Sequence, residues 1–169
     1  MKYLHASWRM PYVSVEQKDK KNKHIFLDIL HSTDERANLL LLKTEHSFVV
    51  LNKFPYNAGH LLVLPKREVA DIAHLSSLES MDLWNTIQLS KKVVEHTLHP
   101  HGINIGFNLG SASGAGVPEH VHCHIVPRWD GDTNFMPVVA ETKVLPIALE
   151  KLWEGMRSAL PDVMNDHKA

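Results

Sequence analysis

Apolar and polar positions alternate most cleanly between Ile103 and Leu109. Ile103, Ile105, Phe107 and Leu109 fall on one side and Asn104, Gly106 and Asn108 on the other, the period of a half-buried strand. Shorter apolar runs read as strands at Leu39–Lys43 and Ser47–Leu51, split by Thr44-Glu45-His46, and at His60–Leu64, which Pro65 ends. Asn52–Gly59 (NKFPYNAG) between them has turn chemistry. A fifth strand is expected at His120–Val126. Spacing changes to helical where Leu78, Met81, Trp84, Ile87, Val94 and Leu98 recur, with Ser76 and Glu79 as a capping box and Pro100 as a stop. This predicts a helix over 76–98. A second helix is expected from Pro146 to residue 160, with Leu149, Leu152, Trp153, Met156 and Leu160 on one stripe and a frayed polar tail after Asp162. Residues 1–14 are aromatic and apolar, and Glu16–Lys23 reads as a charged, solvated loop. The pattern is that of an α+β protein, mostly antiparallel sheet with two helices, in a single domain over 1–169 with its core at about 39–160.

Composition narrows the function classes. Of 169 residues, 44% are hydrophobic and 22% charged, which excludes a mainly disordered chain. No apolar run approaches the roughly 20 residues of a membrane span, and the N-terminus lacks the apolar core of a secretory signal. The net charge of −1 gives no general attraction to nucleic acid. The lone Cys123 excludes an internal disulfide and fits a reducing, cytoplasmic setting. Histidine is over-supplied, at 13 residues, and part of that excess is concentrated.

The concentration is His120-Val121-His122-Cys123-His124-Ile125-Val126. On a strand the three histidines share one open face, while Val121, Cys123 and Ile125 share a core face. Cys123 then reads as a small buried hydrophobe rather than a nucleophile. Two kinds of chemistry fit three neighbouring imidazoles: a metal site, or nucleophilic catalysis with one ring attacking and the others handling protons and charge. The surroundings lean toward phosphate. The Ser111–Gly116 loop (SASGAG) can bring backbone N–H groups to an anion, and Asn104 and Asn108 offer uncharged polar groups.

This stretch matches the His-φ-His-φ-His-φ-φ signature, where φ is an apolar residue, and resembles the histidine triad (HIT) superfamily of nucleotide hydrolases and transferases. The likeness extends back through Asn108-Leu109-Gly110, forward into Pro127-Arg128, and to Asn52 and Gly59–Pro65. Trp8–Tyr12 and Arg128–Pro137 resemble a bacterial and archaeal group similar to the fragile histidine triad (Fhit) branch, which includes diadenosine tetraphosphate phosphorylases. The resemblance implies a HIT-like fold, a homodimer, and catalysis by His122 as nucleophile with His120 and His124 flanking it. It also implies a supporting role for His60, ribose contact by Asn52, and phosphate contacts from Asn108 and the Gly110, Ser113, Gly114 and Gly116 loop.

Two departures qualify it. Relatives carry a Cys-x-x-Cys pair where this chain has His24-Ile25-Phe26-Leu27, and a histidine where it has Glu68. In those relatives the cysteines and that histidine hold a structural zinc together with the first triad histidine. Here His24, Glu68 and His120 remain as conceivable ligands, and the expectation is loss of the site: no metal and no cofactor. The second departure is Gly114-Ala115-Gly116-Val117, which has one extra residue and lacks the glutamine of Fhit-type hydrolases. The expected activity is nucleotidyl transfer on dinucleoside polyphosphates through a nucleotidyl-histidine, with phosphate as co-substrate: a diadenosine tetraphosphate phosphorylase. The alternatives are a diadenosine tri- or tetraphosphate or nucleoside phosphoramidate hydrolase, a nucleotide-binding regulatory module, and a metal-binding protein. Neither nucleic acid nor membrane is an expected partner.

Overall fold

The computed structural model describes residues 24–132 and 147–168. Expectations for residues 1–23, for Pro146 as a helix start and for Thr133–Pro137 lie outside the described residues. Five strands form one sheet: β1 (Leu40–Lys43), β2 (Ser47–Leu51), β3 (Leu61–Pro65), β4 (Gly102–Phe107) and β5 (Cys123–Arg128). Their order is β1-β2-β3-β5-β4, and every neighbouring pair is antiparallel. The helices are α1 (Ile25–His31), α2 (Ser77–Leu98) and α3 (Leu149–Lys168). The α+β reading and its antiparallel sheet stand, with a third, short helix that the sequence pattern did not resolve. Seven residues are too few to display helical periodicity.

The sheet is covered on both faces, which explains why β2 is an unbroken apolar run rather than an alternating one. Val49 and Leu51 pack with Leu61, Val63, Cys123 and Ile125 against α2 and α3. Phe48 and Val50 pack with Leu40, Leu62 and Leu64 against Phe26 and Leu30 of α1.

Helix α2 begins at the predicted cap. The Ser76 hydroxyl accepts from Glu79 N (3.3 Å) and Glu79 returns a bond to Ser76 N (2.8 Å). Arg67 grips the same carboxylate and, with the cap, holds its pKa down to about 2. The buried stripe differs from the predicted one. Leu83, Ile87, Val93 and Val94 face the sheet, whereas Leu78, Met81 and Trp84 are 65, 59 and 60% exposed. Asp82 explains the rotation: its carboxylate accepts from Thr44 Oγ1 (2.7 Å) and His46 N (3.2 Å), which turns the 82–83–86–87 side onto the β1–β2 turn. Helix α3 runs through Pro161 to Lys168 rather than fraying after Asp162. Leu160 and Val163, buried on either side of Pro161, hold it there.

Gly59, at the end of the β2–β3 loop, has a φ of +79°, and a Cβ there would lie 2.2 Å from Leu98 Cδ1 and 3.2 Å from Met156 Cε. The backbone conformation and the lack of space both demand glycine. Gly59→Ala is therefore expected to lower unfolding free energy by about 2–4 kcal/mol in urea titration. A loss below about 1 kcal/mol would show that this packing is softer than described.

Candidate active site

The site lies where β3 meets β5. Three residue pairs form this seam, Leu61↔Ile125, Leu62↔His124 and Val63↔Cys123. Opposed residues share a face, so His124 emerges beside the segment that leads into β3. There the fully buried His60 is tied by its carbonyl to Asn52 N (2.8 Å). Only His124 belongs to β5, which starts at Cys123. His120 and His122 precede the strand, a correction to the expected His120–Val126 span.

All three imidazoles do lie on the α1 side, as the alternation predicts, but the face is not open. His120 and His122 are 1 and 5% exposed. The Phe26 ring packs edge-on against His120 (centroids 5.6 Å, 90°) and tilted against His122 (5.4 Å). Phe48 closes the far side of His120. Val121, Cys123 and Ile125 are buried, and burial pushes the Cys123 thiol up to about 12, so it is the inert core residue expected.

Backbone groups fix which nitrogen of each ring carries hydrogen. Tyr56 N–H donates to His60 Nδ1 (3.1 Å), and the Asn52 amide lies 3.2 Å from the same atom. His60 Nδ1 is therefore bare and Nε2 is the donor. Its partner is His124 Nδ1 at 2.9 Å, which leaves the hydrogen of His124 on Nε2. The Asn108 amide nitrogen lies 3.4 Å from it, and a hydrogen on Nε2 requires that amide to turn over and present its oxygen. His122 Nδ1 lies 2.8 Å from the His120 carbonyl, which can only accept. In the neutral ring the lone pair is then on Nε2. His120 donates through Nε2 to the Pro65 carbonyl (2.8 Å). Its Nδ1 is buried without a hydrogen-bond partner among the described residues.

Burial lowers the pKa of His120, His122 and His124, the last to about 4 with help from the adjacent His122. A buried cation is expensive, so at neutral pH the rings are uncharged. The rings of His122 and His124 meet at 4.9 Å. The arrangement presents a neutral nucleophilic nitrogen next to an N–H donor, both oriented before any ligand arrives.

Of the remaining predicted contact residues, the structure brings two to these rings. Asn52 and Asn108 touch the histidine chain directly. Gly110 and Gly114 have φ of +76° and +87°. Ser113 Oγ donates to the Gly110 carbonyl at 2.7 Å. Beyond Gly116, Val117 packs with the α1 cluster, and its carbonyl receives His120 N. The turn Ser111–Ser113 is 3₁₀. Sequence reasoning missed Tyr56, whose ring stacks on His124 (5.6 Å, 16°) and leans on His60 (4.7 Å). An aromatic residue in a turn between two site residues was the available signal. It also missed Phe26 as a wall of the site.

The described residues do not gather three His, Cys, Asp or Glu side chains into a metal-ligand cluster. His24 Nδ1 lies 2.7 Å from Glu68, which raises the histidine pKa, and His120 Nε2 is taken by Pro65.

Fold and site define an α+β protein with a chain of linked, neutral imidazoles. The chain belongs to the HIT family: the family model of the HIT domain matches residues 33–131. It is 40% identical over 121 residues to the AP-4-A phosphorylase of Mycobacterium tuberculosis, covering 72% of this chain and 62% of the relative. It is 40% identical over 93 residues to the bis(5'-adenosyl)-triphosphatase of Dictyostelium discoideum, covering 55% of this chain and 62% of that one. The chain thus spans less than two thirds of the length of these relatives. Among solved structures, a hypothetical histidine triad nucleotide-binding protein from Sulfolobus tokodaii superposes with a TM-score of 0.66 at 22% identity, over 82% of this chain and 93% of that one. A Zn-bound histidine triad family protein from Mycobacterium smegmatis gives 0.61 at 23%, over 76% and 87%.

His124 titrates at about 4 when folded against 6.5 as a free side chain. Between those values the unfolded chain binds more protons, so acidification through this window removes stability. The melting temperature is expected to hold level above pH 7 and to fall as pH drops from 6.5. The fall should be shallower in His124→Gln. Identical slopes in the two proteins, measured by thermal denaturation, would contradict the buried neutral state.

Proposed function

We propose that this protein transfers a nucleotidyl group from a dinucleoside polyphosphate, with adenine as the base, through a covalent intermediate on His122. The observation that carries the reading is the His122–His120 hydrogen bond, which occupies Nδ1 and leaves the lone pair of a neutral ring on Nε2, beside the His124 ring. The names of the two curated relatives, a phosphorylase and a triphosphatase, support the substrate class.

In the first step Nε2 bonds to the α-phosphorus, and the bond from that phosphorus to its bridging oxygen breaks. The departing nucleoside polyphosphate leaves with the bridging oxygen and its electron pair, under a hydrogen bond from His124 Nε2. The His122 ring becomes cationic while keeping its Nδ1 hydrogen, and the His120 carbonyl dipole stabilises it. In the second step an oxygen of inorganic phosphate attacks the same phosphorus, and the N–P bond breaks. The glycine loop without a side-chain amide at residues 114–117 favours phosphate over water as acceptor. Diadenosine tetraphosphate then gives ATP plus ADP, whereas water would give ATP plus AMP. With millimolar phosphate, ADP is expected to dominate over AMP by chromatography. His122→Ala should lower turnover roughly 10⁴-fold with nucleotide binding retained. Near-normal turnover in that variant excludes the covalent route, and AMP formation indifferent to phosphate makes the protein a hydrolase.

We further propose that a His24–Glu68 ion pair stands in place of structural zinc, tying the N-terminus of α1 to the segment after β3. Elemental analysis should find well under one zinc per chain, and a chelator should leave the melting temperature unchanged. One bound zinc per chain would reverse this.

The protein is also proposed to form a homodimer through the β4 edge, in a cytoplasmic setting that suits the lone, buried Cys123. No helix among the described residues is long and apolar enough to cross a membrane. Ile105 of β4 and Leu78, Met81 and Trp84 of α2 are exposed apolar residues of the kind such an interface buries. Light scattering should give twice the 19.2 kDa chain mass, shifted toward monomer in Trp84→Glu. A monomeric wild-type protein removes the proposal.

A further inference from the structure

A groove of about 440 Å³ runs along β4 and β5 away from His124, on the histidine face of the sheet. The register sets its geometry: Gly106 opposes His124, Asn104 opposes Val126 and Gly102 opposes Arg128. His124, Val126, Arg128 and Asn104 therefore project to the same face. Four residues of strand separate His124 from Arg128, roughly 13 Å. Gly106 leaves the floor clear beside His124, since a Cβ there would meet nothing within 4 Å.

The groups at the two ends of this groove are donors. His124 offers Nε2–H at one end, where the Asn108 amide takes it until a ligand replaces that contact. Asn104 gives its oxygen to Arg128 Nη1 (3.0 Å), which turns its own NH₂ outward. At the far end Asp132 holds the Arg128 guanidinium, accepting from Nε (2.6 Å) and Nη2 (3.0 Å). Asp132 is in turn fixed by Trp129 N (3.2 Å) and by Asn57 Nδ2 (2.7 Å). The Arg128 side chain is 45% exposed and that of Asp132 only 10%. The cation thus faces the groove and its counter-ion sits behind. No Asp or Glu among the described residues lines the groove.

We propose that this groove is the subsite for the polyphosphate of the departing nucleotide, with Arg128 gripping the phosphate farthest from His122 and Asp132 acting as a positioning residue. The proposal rests on the nucleotidyl-transfer reading. A chain of phosphates needs donors at intervals and no competing carboxylate, and a guanidinium clamped in one plane can offer two parallel N–H groups to one phosphate. Free inorganic phosphate shares this chemistry, so the test has to separate the leaving polyphosphate from the acceptor.

Kinetics on diadenosine tetraphosphate and on adenosine 5'-phosphoramidate, which has the same adenylyl group and no distal phosphates, provide it. The kcat/KM ratio of the first to the second is expected to fall about tenfold in R128Q, chiefly through KM. It should fall about threefold in R128K, which keeps a charge and the Asp132 pair, so a folding defect in R128Q leaves the comparison available. Parallel losses on both substrates in both variants reduce Arg128 to a brace and overturn the proposal. Inorganic tripolyphosphate should inhibit the wild-type protein competitively, with Ki about tenfold higher in R128Q and little change in the KM for phosphate. A change in the KM for phosphate alone reassigns the groove to the acceptor and also overturns it. If the wild-type protein cleaves neither adenylyl substrate, the functional reading fails separately. Calorimetric binding of tripolyphosphate still decides the groove: weaker binding in R128Q supports it, and equal binding or none in both proteins rejects it.

Discussion

The seam between β3 and β5 is three residue pairs long, and the placing of the histidine cluster hangs on it. It brings His60 against His124 and the Pro65 carbonyl against His120. Because side chains alternate along a strand, a slip of one residue in this pairing would turn His124 into the α2–α3 core and expose Cys123 in its place. The seam can be short because both faces are sealed. Leu61, Val63, Cys123 and Ile125 are buried under two long helices, and Leu62 and Leu64 under α1. A wrong register would have to bury imidazoles among aliphatic side chains without partners, at about 1–3 kcal/mol for each unsatisfied group.

Much of this was legible in the sequence. The alternation through His120–Val126 identified the histidine side and the core side, and the Ser76–Glu79 pattern located the start of α2 to the residue. What was not legible depended on contacts between distant segments. The rotation of α2 follows from Asp82 meeting Thr44 and His46, which no local periodicity encodes. The hydrogen positions on the imidazoles follow from the carbonyls of His120 and Pro65 and the amide N–H of Tyr56. Backbone groups are the same in every residue and leave no mark in a sequence. The third helix was invisible for another reason: in α1 only Phe26 and Leu30 are buried, too few positions to set a period.

The site is built to keep rings neutral rather than to charge them. Burial disfavours the imidazolium at each triad position, and Glu68, whose charge reaches His120, is hydrogen-bonded to His24. His120 carries the largest cost, a buried nitrogen without a hydrogen-bond partner among the described residues. The Phe26 ring stands perpendicular to the His120 ring at 5.6 Å. Backbone hydrogen bonds fix the orientation of the weakly basic rings, and in the proposed reaction orientation and desolvation would take the place of a strong base.

The two ends of the sheet are treated differently. On β1, the outermost strand at one end, the Leu40 carbonyl accepts from the Trp153 indole at 2.9 Å and the Leu41 carbonyl from the Arg157 guanidinium, both from α3. Those groups are the template on which another chain's strand would otherwise add. With that border plugged, β4 is the edge left for strand addition among the described residues, and an association that uses one border per molecule ends at two. The same α3 that completes the core therefore works against runaway fibre growth, a hazard for any protein whose sheet is exposed at both margins.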